Sequence, residues 1–160
     1  MLQLYEEYYW KAKIKWSKPR NYEKVKKYGS KYDETAYFYK ITGKYLNNVS
    51  KLFYLGKTYD QCVSLRLNQK DHIQRYKRIS KEFPKHQLFL SFGELFLEDG
   101  LKTKKRIDEI ESLLIYAHDS EYLYNKRKLV SFKVLSYYKI TNNGYRSPLF
   151  KEICFGLTVM

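Results

Sequence analysis

Ten residues near the middle of the chain, Leu88–Leu97 (LFLSFGELFL), constrain its fold more than any others. The run sits within HQLFLSFGELFLED, alternates poorly and is apolar on both faces. A strand of that kind has to be covered on both sides, so it predicts a central strand rather than an edge. It is too short to cross a bilayer and is interrupted by Gly93 and Glu94. A central strand needs partners, and the preceding residues supply two. TAYFYKIT (Thr35–Thr42) is β-branched and aromatic, and LFYLGKT (Leu52–Thr58) is apolar and aromatic. GKYLNNVSK between them carries Gly43 and the pair Asn47–Asn48, which predicts an antiparallel hairpin with a long loop.

Helical spacing appears on either side of the central run. Leu65, Gln69, His72, Tyr76 and Ile79 predict one helix from about Gln61 to Phe83, stopped by Pro84. After a turn at Asp99–Gly100, LKTKKRIDEIESLLIYAH predicts another, with Ile107, Ile110, Leu114 and Ala117 as its buried stripe. Residues 1–33 are basic and aromatic, punctuated by Pro19 and Gly29, and are expected to form one or two short helices. Beyond Lys126, LVSFKVLSYYKIT and LFKEICFGLTV read as strands joined by a turn at Asn142–Asn143–Gly144. The order strand, strand, helix, strand, helix describes an α+β fold. The expectation is a small central mixed or antiparallel sheet flanked by helices, with a basic N-terminal helical extension and a C-terminal β extension. A length of 160 residues predicts a single domain.

Charge narrows the partners. Thirty-one Lys and Arg against seventeen Asp and Glu give a formal charge of +14, which favours polyanions, nucleic acid before an anionic membrane. The abundance of Lys, Tyr, Asn and Ile together also fits biased codon usage. The only cysteines, Cys62 and Cys154, make neither a disulfide framework nor a Cys-x-x-Cys zinc site, so a reduced, cytoplasmic setting is expected. MLQLYEEYYWKAKIKW has no apolar core of the kind a signal peptide needs.

Three residue types carry candidate chemistry. Glu111 lies four after Ile107 and three before Leu114, on the shoulder of the apolar stripe, with Asp108 and Glu109 pointing more outward. A half-buried carboxylate needs a partner, either a basic side chain of the preceding helix or a hard divalent cation. Arg66, with Lys70 four residues on, forms a basic ridge, either a solvated face or a fork for phosphate oxygens. Tyr39 and Tyr54 lie near the ends of neighbouring strands. Either could move a proton only if its pKa fell from about 10.

In this order the residues resemble the GIY-YIG nuclease superfamily. Its Gly-Ile-Tyr motif corresponds to Tyr37–Phe38–Tyr39, followed by KIT, and its Tyr-Ile-Gly motif to Tyr54–Leu55–Gly56, followed by Lys57–Thr58. The helix arginine corresponds to Arg66, the metal-binding glutamate to Glu111 and the asparagine that closes the site to Asn125. The resemblance spans about Thr35 to Lys128. A second YKIT, at Tyr138–Thr141, follows Glu111 and Asn125 and lacks the downstream motifs, so the site tyrosine is Tyr39 and not Tyr138. Tyr37 stands where glycine is usual, which a strand tolerates unless φ is positive. The hairpin loop and the stretch from Gly56 to Arg66 are longer than usual. Many members place a histidine four after the arginine, where this chain has Lys70. His72 is six after and would point about 120° away on a continuous helix. Either Lys70 replaces the histidine, or the helix starts later and His72 swings in; Lys70 is the slightly favoured reading.

The resemblance implies a metal-dependent endonuclease acting on double-stranded DNA, of the small Type II restriction kind, from a phage or mobile element, or of a repair type. Tyr39 or a neighbour would activate water, Arg66 and Lys70 would hold the scissile phosphate, and Tyr54 would pack on or hydrogen-bond it. Glu111 would hold one magnesium or manganese ion, and Asn125 would orient groups around it. Arg20, Lys57, Lys126 and Arg127 are expected phosphate contacts. Two strand scissions per duplex make a homodimer one natural arrangement. The alternatives are a nucleic-acid-binding protein with a degenerate, inactive site, motivated by the missing glycine and histidine, and an unrelated basic structural protein such as a virion or ribosome-associated component.

Overall fold

The computed structural model of the protein describes residues 9–32, 35–98, 100–125, 134 and 136–156. Among the described residues seven strands form one mixed sheet: β1 (Trp10–Trp16), β2 (Arg20–Asn21), β3 (Phe38–Lys44), β4 (Lys51–Lys57), β5 (Gln87–Leu97), β6 (Tyr138–Gly144) and β7 (Glu152–Phe155). Four helices accompany them among the described residues: α1 (Tyr22–Tyr28), α2 (Val63–Leu67), α3 (Lys70–Glu82) and α4 (Lys104–Ala117). The sheet runs β4-β3-β5-β1-β6-β7, with β2 pairing β5 off that path.

The apolar run occupies the position its composition demands. β5 is flanked by β3 and β1, both antiparallel to it. Its Leu88, Leu90 and Phe92 pack against α1, α2 and α3 through Val25, Leu67 and Ile79. Its Leu95 faces the opposite layer, with Ile14, Ile110 and Leu114 under α4. β3 and β4 form the expected hairpin, with a register irregularity between Ile41 and Thr42. Side-chain caps begin two of the helices: Asn21 Oδ1 accepts from Lys24 N (3.1 Å), and Thr103 Oγ1 from Arg106 N (3.2 Å).

The N-terminal extension differs from expectation. Residues 10–16 are a strand in the body of the sheet, and α1 is the only helix among the described residues there. The reason is a strict period of two: Ala12, Ile14 and Trp16 are buried while Lys11, Lys13 and Lys15 are exposed. The Asn142–Asn143–Gly144 turn is also corrected. These residues end β6 in parallel register with β1, Trp16 opposite Gly144, and the chain turns after them. Asn142 needs no turn to satisfy its amide, because the buried Trp16 indole donates to its Oδ1 (2.9 Å) and its Nδ2 donates to the Phe150 carbonyl (2.9 Å).

The single helix over 61–83 is two. Asn68 Nδ2 donates to the Ser64 carbonyl (2.9 Å) and to the Lys26 carbonyl of α1 (3.3 Å), which closes α2 and lets α3 start at Lys70 in a new direction. Leu65, expected in the buried stripe, is consequently 63% exposed. Glu109 is not outward-facing but buried, like most of the second half of α4, because that helix packs on β4 and β7 at once. Asp99, most of the first expected C-terminal strand before Tyr138, and residues 157–159 of the second lie outside the described residues. No helix among the described residues is long and apolar enough to cross a membrane.

Candidate active site

β4 is an edge of the sheet, and a groove of about 830 Å³ opens along it between α3 and α4. Tyr54, Arg66, Glu111 and Asn125 line it, drawn from β4, α2, α4 and the segment after α4. Two stretches that are far apart in sequence, 54–66 and 111–125, therefore meet in one concave surface.

Tyr39 is placed behind that surface rather than on it. Its ring is fully buried and crosses the backbone of β4 opposite Gly56, where a Cβ would collide with the ring. The glycine of Tyr54–Leu55–Gly56 is thus required by the tyrosine on the neighbouring strand. Tyr37, in the place of the usual first-motif glycine, has no positive φ, so the side chain costs nothing there.

His72, not Lys70, joins the tyrosines. With α3 starting at Lys70, the imidazole is buried, 3.1 Å from the Tyr39 hydroxyl and edge-on to Tyr54 (5.5 Å between ring centroids, 88°). Lys70 is exposed and lies off the groove. The continuous-helix rotation that set His72 aside fails because the helix is broken between the two residues.

The tautomer follows from the neighbours. The Arg75 guanidinium can only donate, and it reaches His72 Nδ1 at 3.2 Å. Nδ1 is therefore an acceptor, the ring proton sits on Nε2, and Nε2 donates to the Tyr39 oxygen. The Tyr39 ring in turn lies against the Tyr54 ring, with centroids 6.0 Å apart. The hydrogen-bonded chain Tyr39, His72, Arg75 reaches the groove at Arg75, which lies over the Tyr54 ring at 4.1 Å. Burial, reinforced by Arg75, lowers the His72 pKa to about 4, although Asp71 opposes the shift, so the ring is neutral at pH 7. Burial raises Tyr39 well above its ordinary pKa, with Arg66 and Arg75 opposing. Burial raises Tyr54 as well, against Arg75. At neutral pH both tyrosines keep their protons.

The rim is charged. Arg66 donates to the Gln69 side chain and lies 3.9 Å from Asp71. Asn125 does not face outward with a free amide. Its Nδ2 donates to the Leu55 carbonyl (2.6 Å) and its Oδ1 accepts from the Leu55 N–H (2.9 Å), so it closes the open edge of β4 beside Tyr54. Lys57, expected on a phosphate, pairs with Asp108 and lies 3.6 Å from Glu111 Oε2. Arg20 is exposed, lies off the groove and stacks its guanidinium on Tyr32 (5.5 Å). Lys126 and Arg127 lie outside the described residues. Among the described residues no three His, Cys, Asp or Glu side chains cluster as a metal cage. Glu111 is buried at the groove wall (6% exposed), and a single carboxylate there suits magnesium, which takes its remaining oxygens from water and phosphate.

Sequence reasoning missed Arg75 and Arg78, both of which line the groove. The signal was in α3, where Asp71, Gln74, Arg75 and Arg78 repeat at three and four residues along one polar face. A scan against protein-family models returned no matching model, and searches of curated proteins and of solved structures returned no match.

Proposed function

We propose that the groove is the active site of a metal-dependent DNA endonuclease of the GIY-YIG kind. The observation that carries this reading is the convergence of Tyr54, Arg66, Glu111 and Asn125 on one groove, with Tyr39 and His72 directly behind it. A phosphodiester presents anionic oxygens that need positive charge and directed donors as the phosphorus centre gains a bond. Arg66, with Arg75 and Arg78 on α3, supplies the charge from one wall. The Tyr54 hydroxyl, on the groove wall, donates its proton to a phosphate oxygen or to the attacking water. Glu111 would hold magnesium or manganese, with the Lys57 ammonium moving off the carboxylate as the ion enters. A bound ion neutralises phosphate charge and assists the leaving oxygen. Asn125 positions rather than ligates, because its amide is spent on Leu55.

A second reading is a nucleic-acid-binding protein whose site is inactive. The full burial of Tyr39 and the pairing of Lys57 with Asp108 beside Glu111 favour it. Incubating the protein with supercoiled plasmid separates the two. The nuclease reading expects nicked and linear DNA with magnesium and none with EDTA. Intact DNA that is only retarded in a gel with magnesium selects the second reading. Discrete fragments from a long duplex would make the enzyme site-specific, as a restriction-type nuclease is, and a smear would not.

A further inference from the structure

A second groove, of about 800 Å³, lies on the other side of α2, between that helix and the end of α1. Lys26, Lys27 and Lys31 line it from the α1 side and Ser64 and Asn68 from α2, and no lining residue is acidic. Two large side chains stand open in it, Tyr28 at 75% exposure and Leu65 at 63%. The Leu65 exposure is the departure from helical periodicity noted above. The wall is fixed, because Asn68 ties the Ser64 carbonyl to the Lys26 carbonyl across the two helices.

We propose that this groove takes the phosphate backbone of the DNA flanking the cut, as a second contact that aligns the duplex on the first groove. The proposal rests on the nuclease reading only for the identity of the polyanion as DNA. Three points support it. Three ammonium groups on a concave surface with no carboxylate focus a positive potential that suits a line of phosphates. The two grooves share α2: Arg66 faces one and Ser64, Leu65 and Asn68 face the other. A helix is about 10–12 Å across, so a strand rising about 3.4 Å per nucleotide passes from one groove to the other in about three nucleotides. Tyr28, with Lys27 5.1 Å from its ring, and Leu65 then pack on deoxyribose between the phosphates.

The test is binding of the full chain to a short duplex in EDTA, titrated over salt, so that cutting plays no part. Lys27→Ala/Lys31→Ala should weaken binding about tenfold and reduce the salt slope by about 2. Tyr28→Ser should weaken it with the slope unchanged. The control is Lys11→Ala/Lys13→Ala, which removes the same charge from the exposed face of β1 and should change affinity no more than about twofold. Equal losses in the two double variants, no loss in the first, or no binding by the wild type would each overturn the proposal. Groove-specific loss in a protein that never cuts DNA with magnesium would retain it and remove the nuclease reading alone.

Discussion

Tyr39 and Lys40 are neighbours on β3, both fully buried, and they head two polar clusters on opposite faces of the sheet. Lys40 Nζ donates to the Tyr145 carbonyl (2.8 Å) and the Ser147 carbonyl (2.7 Å) and lies 5.1 Å from the Trp16 ring, whose indole is held by Asn142. Burial and the nearby Arg146 lower its pKa to about 7, while the two carbonyls favour the proton. That cluster ends in the loop it fastens. The Tyr39 cluster instead ends in a groove, with Tyr54 and Arg75 on its wall. Buried polarity alone does not mark a functional site; the difference is whether the network closes on its own backbone or stops at a surface that a ligand can reach.

Four substitutions sharpen that contrast. The largest effect belongs to the open end: Arg66→Ala should slow plasmid cutting by about a hundredfold or more while the melting temperature changes little. Next is the closed end. Lys40→Met leaves the Tyr145 and Ser147 carbonyls without their donor and should cost about 1–3 kcal/mol in urea unfolding. Gly56→Ala should cost about 1–3 kcal/mol, because the added methyl pushes the Tyr39 ring off its place against His72. The smallest concerns acid. His72 has a folded pKa of about 4, below the ordinary 6.5 of an exposed ring. Between those values the unfolded chain binds the extra proton, so stability falls as pH drops from 6.5 toward 4, by up to about 1.4 kcal/mol per pH unit. His72→Gln should flatten that part of the stability curve relative to wild type; parallel curves between pH 6.5 and 5 would mean that the ring is not buried neutral.

Much of this arrangement is legible in the sequence. The hairpin, the central strand and α4 follow from composition, turn residues and helical spacing. Their order brings Tyr54, Arg66 and Glu111 to a common edge. Two things hid the rest. The alternation of Trp10–Trp16 is a strand signal, but its lysines and tryptophans read equally well as a basic surface segment. What settles it is pairing with β6, a contact such as Trp16 to Asn142 that spans 126 residues. The break between α2 and α3 carries no Gly or Pro. It is made by an asparagine side chain that finds carbonyls on two helices, and without it neither the burial of His72 nor the exposure of Leu65 can be anticipated.

The measurement that tests the account most directly is plasmid cutting by Glu111→Ala and Lys40→Met side by side, in magnesium, with the folded fraction of each measured by circular dichroism. The account predicts that Glu111→Ala stays folded and cuts nothing, while Lys40→Met melts earlier and keeps its cutting rate per folded molecule. Unimpaired cutting by Glu111→Ala would contradict it.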